Sequence, residues 1–549
     1  MKEKIFFDSN IFIYAADKKS LFHDESVEII KDFVEIGFFT SDLCFLEFYQ
    51  VITDGRKTPR PLSLEKALLY IQKLWSTPEI DVLEADILGV FEEEEHQNNL
   101  LRYNVTRFDI YDYLIAACLK KNQIRKIVTF NSKDFKKYPW LTVVDPRETY
   151  SSGNASPSAM PSASSALRII PYGRQSIDEQ DVAAVCSVLR SDWLTTGPKV
   201  EEFEKAVAGY CGARYAIAVS NGTAALHVSA LALDLKEGDE GITSLNTFLA
   251  SANCIAFCRG IPRFADIDPD THCINPKEIK NAITPKTRVL IPVHFAGQPC
   301  DIETIQDIAA KEKLYIIEDA AHAIGASWED ANRKWHRVGS CSHSHLTIFS
   351  FHPVKTITAG EGGMILTNDK DLADKCRLFR NHGIIRDPSK FVNANSPMPF
   401  YYEMQELGYN YRLTDFQCAL GLAQLRRLDD FVDKRREIWK YYNNELTGID
   451  GFTTPVEREG VRSAWHLYVA QVERRDELFN YLRERNIGAH AMYIPVHLQP
   501  YYQKLFGYQK GDFPNAEAYF DKCLALPLFP TLKDSEAEHI VKTVKEFFQ

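Results

Sequence analysis

The chain has 549 residues, of which 45% are hydrophobic and 25% are charged. This composition is typical of a soluble globular protein, and the length predicts two or three domains. The formal net charge of −11 argues against a protein that coats nucleic acid with its whole surface, and no apolar run is long enough to cross a bilayer. We therefore expect no contact with a membrane.

The cysteines and the N-terminal stretch indicate the compartment. The twelve cysteines are scattered and never take the paired CxxC spacing of a zinc site. The opening stretch MKEKIFFDSNIFIY has an aspartate inside its apolar run and lacks the long apolar core of a signal peptide. We expect a cytoplasmic protein whose thiols are buried and reduced.

The first 148 residues alternate between short strands and helices. The strand KIFFDSN precedes a strand and helix in FFTSDLCFLEFYQVI, and the helix DIYDYLIAACLKK and the strand KIVTF follow. This alternation predicts a small α/β domain at residues 1–148.

Four acidic residues of this domain stand at strand ends or helix starts: Asp8, Glu47, Asp109 and Asp112. Clustered carboxylates suit Mg²⁺ or Mn²⁺, which take oxygen ligands and activate water against a phosphodiester. A structural alternative stands beside this hypothesis, in which Asp8 and Asp112 cap helices and Glu47 faces solvent.

These segments together resemble the PIN domain, a metal-dependent ribonuclease fold, over about residues 4–146. The matching stretches are FFDSNIFIYAAD, the Glu47 segment, YDYLIAACLKK and KIVTFNSKDF. The resemblance implies RNA as the substrate and a set of metal ligands, which are Asp8, Glu47 and Asp112. At a fourth position, often aspartate in the family, this chain has Asn131, with Asp109 and Asp134 as the substitutes.

A run of small and polar residues, SSGNASPSAMPSASSA, follows the first domain and shows no apolar period. Such a composition predicts a flexible linker, which we place at residues 149–168.

Strands and helices alternate again from residue 169 to about residue 410. Strand-like runs such as YAIAVS, RVLIPV, YIIEDAA and LTIFSF are separated by helical patterns. The fold class predicted is therefore α/β, with a mostly parallel sheet covered by helices at residues 169–410. Long charged helices and the strand WHLYVAQV predict a smaller α+β domain at residues 411–549.

The stretch FSFHPVKTITAGEGG places Lys355 between an apolar run and a glycine-rich turn. A lysine on a loop usually ends in solvent. A lysine can instead hold an aldehyde cofactor as a Schiff base, and Asp319 in IIEDAAHA, at the end of a predicted strand, could then hold a pyridine nitrogen protonated. Asp319 could equally cap the helix that follows.

Two further stretches precede these in the same predicted sheet. In VSNGTAALHV a strand turns into a helix whose first amides, at Thr223 and Ala224, would form a phosphate site or a simple cap. In SLNTFLASAN, Phe248 follows a strand end and could stack on a flat ring or belong to the core. Their order along one parallel sheet favours a shared site.

From about Ile169 to Gln549 the chain resembles the family of pyridoxal phosphate (PLP)-dependent sugar aminotransferases of the DegT/DnrJ/EryC1/StrS type. The motifs that carry the resemblance are IPYGRQSI, DWLTTGPKVEEFE, SNGTAAL, FADIDPDT, PVHFAGQPCD, EDAAHA, FSFHPVKTITAGEGG, RNHGI, LGYNYRLTDFQCALGLAQL and LALPLFP. The resemblance implies fold type I, PLP as cofactor and a homodimer.

The resemblance also implies a role for individual residues. Lys355 would be the Schiff-base lysine, Asp319 the partner of the ring nitrogen, and His322 a neighbour of the ring hydroxyl. The remaining cofactor contacts implied are Phe248 on the ring, Thr223, Ala224 and Ser350 on the phosphate, and Arg412 from the other subunit. The implied walls of the sugar-nucleotide pocket are Tyr172, Asp192, Trp193, Leu194, Thr195 and Tyr493.

The stretches SDWLTTGP, HFAGQPCD and YIPVHLQPYY are most similar to the branch of the family that acts in pseudaminic acid biosynthesis. That branch implies transfer of an amino group from glutamate to C4 of a UDP-linked 4-keto-6-deoxy-N-acetylhexosamine. Related proteins that remove a hydroxyl have histidine where Lys355 stands, so transamination is favoured. Met492 stands where such enzymes often have a histidine.

Two alternatives of other classes remain at the level of sequence. The chain could be mainly a metal-dependent, toxin-like ribonuclease whose C-terminal part is a dimeric PLP-binding carrier. The PLP domain could also only bind and sense its cofactor.

Overall fold

The computed structural model describes residues 5–16, 26–27, 30, 38–41, 44–45, 48, 80–83, 110–146, 169–393 and 398–549. Of residues 16, 38, 80–83 and 110–113 only the backbone is described. The chain divides into two compact units, Met1–Pro161 and Ser162–Gln549. Within the described residues no helix is both long and apolar enough to cross a membrane.

The N-terminal unit is built on a five-stranded sheet in which every pairing is parallel. Its strands, in the order β3-β2-β1-β4-β5, are β1 (Ile5–Phe7), β2 (Phe38–Ser41), β3 (Ile80–Leu83), β4 (Lys126–Val128) and β5 (Thr142–Val144). The helices described are α1 (Ser9–Ala16), α2 (Ile110–Lys121) and α3 (Ser132–Phe135). All three side chains of β1 are buried, as expected for the central strand of a parallel sheet.

The C-terminal unit contains a seven-stranded sheet with the order β6-β14-β13-β10-β9-β7-β8. Its strands are β6 (Tyr215–Val219), β7 (Glu240–Ser244), β8 (Ile261–Ala265), β9 (Thr287–Ile291), β10 (Tyr315–Asp319), β13 (Leu346–Ser350) and β14 (Gly363–Thr367). The sheet is parallel except at β14, which runs antiparallel to both of its neighbours. This confirms the predicted α/β fold class and its mostly parallel sheet.

Helices cover both faces of this sheet, and strand β13 shows why. Leu346 and Ile348 belong to the core layer that contains Val228, whereas Phe349 belongs to the layer that contains Phe203. Because successive strand residues point to opposite faces, each layer receives its own apolar side chains. The helices are α4 (Glu179–Leu189), α5 (Pro198–Cys211), α6 (Gly222–Ala232), α7 (Ala250–Phe257), α8 (Pro276–Ala282), α9 (Ile302–Glu312) and α10 (Lys370–Arg380).

The C-terminal unit also contains three smaller sheets among its described residues. The strands are β11 (Ser327–Glu329), β12 (Trp335–Arg337) and β18 (Val461–Arg462) in one sheet, β15 (Ile384–Ile385) and β16 (Glu403–Met404) in a second, and β17 (Phe452–Thr453), β19 (Tyr468–Val472) and β20 (Cys523–Leu526) in a third. The last of these is antiparallel and lies in a separate core that includes Tyr442, Tyr468, Leu482 and Val544.

The helices of the C-terminal end follow. They are α11 (Asp415–Leu425), α12 (Leu428–Leu446), α13 (Arg475–Glu484), α14 (Pro500–Phe506), α15 (Pro514–Lys522) and α16 (Asp534–Phe548). All twelve cysteines lie within the described residues and are free thiols.

Candidate active site

A cavity of about 620 Å³ opens in the C-terminal unit at the carboxyl ends of β7, β10 and β13. Thr247 and Phe248 follow β7, Asp319 ends β10, and Ser350 ends β13, and all four line the cavity. Open α/β sheets place ligands at this edge because the loops that follow several strands converge there.

Lys355 lines the same cavity, on the loop between β13 and β14. Burial of its amine lowers the pKa of Lys355 to about 8, although the nearby Asp319 carboxylate acts in the opposite direction. The structure thus brings two groups into one cavity. One is the buried amine of Lys355, whose pKa lies close to neutral pH, and the other is Asp319, the acid predicted to face the ring nitrogen.

Asp319 is buried, and each of its two carboxylate oxygens accepts a hydrogen bond. Its Oδ1 accepts the N–H of Ala321 at 3.1 Å, and its Oδ2 accepts the Ser251 hydroxyl at 2.5 Å. The alternative of a helix cap does not hold here, because residues 320–326 form turns and no α-helix directly follows β10.

His322 is buried beside these residues, and a 3.2 Å hydrogen bond joins its Nε2 to the hydroxyl of Tyr493. Its Nδ1 is buried and has no hydrogen-bond partner within the described residues. Burial, together with the Lys355 amine, lowers the pKa of His322 well below its usual value. The imidazole is therefore neutral, with one ring nitrogen available to a ligand.

The start of α6 forms a second wall of the cavity. Asn221 caps the helix, and the residues at its first turn, Gly222 and Thr223, line the cavity together with Ser350. A Cβ on Gly222 would come within 3.0 Å of the Ser350 Cβ and 3.3 Å of its Oγ. The first helical amides have no partner inside the helix, so this corner can receive a phosphate.

Ala224 differs from the sequence expectation. Its N–H donates to Asn221 Oδ1 at 2.8 Å, and Ala224 does not line the cavity. The side chain of Asn221 thus accepts a hydrogen bond from the amide of Ala224, which was predicted to hold the phosphate. The amides of Gly222 and Thr223 come before Ala224 in the helix.

Phe248 is 59% exposed, an unusual state for a large aromatic side chain. Its ring faces the cavity, with its centroid 6.3 Å from that of Tyr493. The sequence left open whether Phe248 is core or a stacking surface, and this exposure favours a stacking surface.

Another wall of the cavity comes from both ends of the unit, because Tyr172 lies near its start and His490 and Tyr493 lie near its end. Tyr172, His490 and Tyr493 line the cavity, and the rings of Tyr172 and His490 lie 5.5 Å apart. The wall depends on later residues, because Tyr519 donates to the carbonyl of Met492 at 2.8 Å. His490 also pairs with Ala525 of β20 through two backbone hydrogen bonds.

The structure does not bring two of the predicted groups to the cavity. The segment Asp192 to Thr195 is exposed, and its Leu194 carbonyl accepts the N–H of Asp415. Arg412 donates to Asn381 Oδ1 at 2.6 Å and lines a different groove, of about 590 Å³. Neither group lines this cavity of the same chain.

Several residues of the site were not identified from the sequence. Asn221, Ser251 and Glu361 contact or line the site through loops and helix starts. His466 is buried with its ring centroid 4.6 Å from that of His322. The motif SAWHLYV offered a signal for His466, since a histidine within an apolar strand-like run needs a specific environment.

In the N-terminal unit, Asp8 is buried directly after β1. Its carboxylate accepts Asn10 Nδ2 at 2.7 Å, the Thr129 hydroxyl at 2.6 Å and the Ser9 N–H at 2.8 Å. Glu47 and Asp109 lie outside the described residues, and of Asp112 only the helical backbone is described. The part of the chain that the structure describes contains no group of three metal-binding side chains.

Comparisons with known proteins match each of the two units to a family. Residues 175–545 match the profile of the DegT/DnrJ/EryC1/StrS aminotransferase family, and residues 5–141 match that of the PIN domain. The spore coat polysaccharide biosynthesis protein SpsC of Bacillus subtilis is 41% identical over 384 residues, which cover 69% of this chain and 96% of SpsC.

Two solved structures resemble the C-terminal unit. Spr1654 of Streptococcus pneumoniae in its PLP-form is 28% identical with a TM-score of 0.63, over 69% of this chain and 98% of Spr1654. PseC of Helicobacter pylori, an aminotransferase involved in the biosynthesis of pseudoaminic acid, is also 28% identical with a TM-score of 0.63, over 69% of this chain and 99% of PseC.

The residues of the cavity fit PLP. A narrow corner between Gly222 and Ser350 suits its phosphate, the exposed Phe248 suits its ring, and the unpaired Nδ1 of His322 suits a polar substituent of the ring. Lys355 and Asp319 supply the amine and the carboxylate that this cofactor needs.

Proposed function

The chain belongs to the DegT/DnrJ/EryC1/StrS aminotransferase family, and from this premise we propose that it aminates a particular nucleotide sugar. The substrate proposed is a UDP-linked 4-keto-6-deoxy-N-acetylhexosamine, aminated at C4 with glutamate as the donor. The observation that carries the proposal is the amine of Lys355 in one cavity with Asp319 and with the helix start at Gly222.

The choice of substrate is supported by a structural neighbour and by sequence motifs. PseC is an aminotransferase of pseudoaminic acid biosynthesis, and SpsC acts in spore coat polysaccharide biosynthesis. The motifs SDWLTTGP and YIPVHLQPYY favour the PseC branch. We propose pseudaminic acid biosynthesis as the pathway and the cytoplasm as the location.

Bound PLP supplies an electron sink that stabilises negative charge at the carbon next to the reacting nitrogen. Asp319 holds the protonated ring nitrogen that makes the sink effective. Lys355, with a pKa of about 8, is partly neutral at physiological pH and can take a proton from the α-carbon of the donor and later return it.

The other residues orient the ligands and exclude water. Phe248 is proposed to stack on the ring, His322 to lie beside the ring hydroxyl, and Thr223 and Ser350 to bind the phosphate. Tyr172, His490 and Tyr493 form the wall against which a sugar would lie. Such positioning contributes to rate because reacting groups are held close and correctly aligned.

A second copy of the chain completes the site in this proposal. Arg412 and the segment Asp192 to Thr195 do not reach the cavity of their own chain. Both retain their predicted roles if they reach the cavity of a partner in a homodimer. Sedimentation of the purified protein tests this directly, and a monomer that is fully active would contradict it.

The experiment that tests the substrate is an assay of the purified protein with PLP, glutamate and a set of UDP-linked 4-keto-6-deoxy sugars. We expect the C4 carbonyl to become CH–NH2, so that one oxygen is replaced by one nitrogen and three hydrogens and the product is slightly heavier than the keto sugar, as detected by mass spectrometry. Omitting the 4-keto group, by use of UDP-N-acetylglucosamine, is the matched control and should give no product.

A cheaper measurement separates an aminotransferase from a cofactor sensor. Glutamate alone should discharge the yellow colour of the loaded protein and release 2-oxoglutarate in an equal amount. A protein that stays yellow with every amino acid tried would exclude amino transfer, whatever sugar is used.

The N-terminal unit carries a second candidate activity, metal-dependent cleavage of RNA. The observation that supports this activity is the buried Asp8, which directly follows the central parallel strand of a unit that matches the PIN domain. Cleavage of labelled RNA with Mn²⁺ or Mg²⁺ by the full chain, lost in Asp8→Asn, is the expected result. Equal cleavage by Asp8→Asn would show that a contaminant is responsible.

A further inference from the structure

Two buried hydroxyls, those of Thr247 and Ser251, form a line of hydrogen bonds that ends at Asp319. The hydroxyl of Ser251, in the first turn of α7, lies 2.5 Å from Asp319 Oδ2, and the hydroxyl of Thr247 lies 2.7 Å from that of Ser251. All three side chains are at least 95% buried. Thr247 and Asp319 also line the cavity, whereas Ser251 does not.

The direction of both hydrogen bonds follows from chemistry alone. An ionised carboxylate only accepts hydrogen bonds, so Ser251 must donate to Asp319. The single hydroxyl proton of Ser251 is then used, so Ser251 can only accept from Thr247. The protons of the line Thr247–Ser251–Asp319 therefore all point toward the carboxylate, and each bond polarises the next.

Few other groups act on this carboxylate. Its Oδ1 accepts the N–H of Ala321, and the titratable side chains near it are Lys355, Tyr493 and Cys254. Within the described residues, Ser251 is thus the side chain that donates a hydrogen bond directly to Asp319.

We propose that Ser251, supported by Thr247, is a positioning residue that orients Asp319 and stabilises its negative charge by a hydrogen bond, so that the proton shared with the PLP ring stays on the ring nitrogen. The proposal rests on the role of Asp319 in the proposed function. It adds a specific cause for that role, which is the hydrogen bond that the Ser251 hydroxyl of α7 donates to Asp319.

The physical reason is a competition for one proton. A carboxylate that accepts hydrogen bonds holds a proton less strongly than one without them. Removal of the Ser251 hydroxyl takes away a hydrogen bond that stabilises the negative charge of the carboxylate, and the shared proton moves from the ring nitrogen toward the carboxylate. The ring then loses positive charge and becomes a weaker electron sink.

The test measures the ring nitrogen itself. The full chain is loaded with PLP carrying ¹⁵N in the ring, and the nitrogen resonance is recorded by solid-state NMR at one fixed pH. We expect the resonance of Ser251→Ala to move toward that of neutral pyridine. Thr247→Val should move it in the same direction by less, because its hydroxyl acts through Ser251.

Two variants separate the effect of losing the Ser251 hydroxyl from the effect of changing the volume of a buried side chain. Ser251→Thr keeps the donor and should leave the resonance at the wild-type position. Ser229 in α6 is an equally buried serine whose hydroxyl has no partner among the described residues, so Ser229→Ala is the matched control and should change nothing. A resonance displaced as far in Ser251→Thr as in Ser251→Ala would overturn the proposal.

Asp319→Asn distinguishes failure of this inference from failure of the proposed function. If Asp319→Asn moves the resonance to neutral pyridine and Ser251→Ala leaves it unchanged, Asp319 keeps its role and the hydroxyl line is wrong. If Asp319→Asn also leaves it unchanged, both are wrong. Should Ser251→Ala fail to fold, Thr247→Val decides, and an unmoved resonance there rejects the proposal.

Discussion

At the scale of single residues, the proposed chemistry depends on Lys355, whose amine loses its proton at a lower pH than an ordinary lysine does. Burial lowers the pKa of Lys355 to about 8, and the Asp319 carboxylate limits that fall because it stabilises the charged amine. The two groups thus have opposite effects on one proton, and the balance leaves the amine usable as a base near neutrality.

Replacing Lys355 by alanine should reduce the turnover of amino sugar by about 10³-fold, the order of the contribution made by a positioned proton-transfer group. Product is measured by mass spectrometry under saturating substrates. Lys370→Ala is the control, because Lys370 is exposed on α10 and paired with Asp374 at 2.6 Å. A Lys355→Ala protein with more than a small fraction of wild-type turnover contradicts the role proposed for Lys355.

The pKa of Lys355 predicts how uptake of PLP by the apo-protein depends on pH. The folded pKa is lowered, so the amine is charged below about pH 8 and neutral above it. Only the neutral amine can attack an aldehyde, so the rate of uptake should rise about tenfold per pH unit up to about 8 and then level off. Stopped-flow absorbance follows the reaction.

The variant Asp319→Asn tests whether the Asp319 carboxylate contributes to this dependence on pH. Loss of the carboxylate removes the group that stabilises the charged amine, so the midpoint should move below 8. A midpoint near 10 in the wild type, or a midpoint that rises in Asp319→Asn, would be incompatible with the environment described for Lys355.

Residues of the site differ in how far the sequence could locate them. Lys355, Asp319, Phe248 and Ser350 stand in short motifs at strand ends, and the structure brings them to one cavity. Ser251 could not be found in this way, because its bond to Asp319 joins residues 68 positions apart and depends on how α7 packs over the sheet. Their roles in catalysis stay predictions.

At the scale of elements, the start of α6 combines a cap with a binding corner. Asn221 satisfies the amide of Ala224, and Gly222 approaches Ser350 so closely that a Cβ at position 222 would lie 3.0 Å from the Ser350 Cβ. The sequence indicated the helix and its anion site, but it could not show that the cap would take one of the two amides expected to serve the phosphate.

Gly222→Ala should weaken binding of PLP by about tenfold, or about 1.4 kcal/mol, because the added methyl group crowds Ser350 at the phosphate corner. Titration of the apo-protein with PLP measures this. Gly209→Ala in α5 is the control, since nothing lies within 4 Å of its Cβ.

The control should leave the affinity for PLP unchanged and stabilise the fold by about 0.5–1 kcal/mol, as expected when alanine replaces glycine in a helix. Equal losses of PLP affinity in both variants would indicate a general effect of alanine rather than crowding at the phosphate corner.

Most secondary structure of the C-terminal unit could be predicted from its periodicity. The strands YAIAV, YIIED and LTIFS and the helix that starts at Gly222 are found where their patterns indicated. The antiparallel direction of β14 was not predicted, because strand direction depends on the connection from β13 and not on local sequence. The run WHLYVAQV is a strand only from Tyr468, and Trp465 has a positive φ of 44° instead.

At the scale of the whole molecule, the chain contains two compact units, Met1–Pro161 and Ser162–Gln549, each with its own sheet. Their separate cores indicate that each can fold by itself. The proposed linker at residues 149–168 lies outside the described residues, so its boundaries remain a prediction from composition.

A protein that begins at residue 162 should therefore retain aminotransferase activity within about twofold of the full chain. Initial rates of amino sugar formation, per mole of bound PLP, are the appropriate measurement. A shortened protein that folds and binds PLP but has lost its activity would show that the first unit takes part in catalysis.

The dependence of the Tyr493 wall on Tyr519 and Ala525 has a consequence for synthesis of the protein. On a ribosome, a nascent chain can form the strand ends and the phosphate corner while Tyr519 and Ala525 are still inside the exit tunnel. The wall that contains His490 and Tyr493 gains its contacts with Tyr519 and Ala525 only after those residues have emerged. A nascent chain that stalls before residue 519 therefore lacks these contacts, however much of the large sheet it contains.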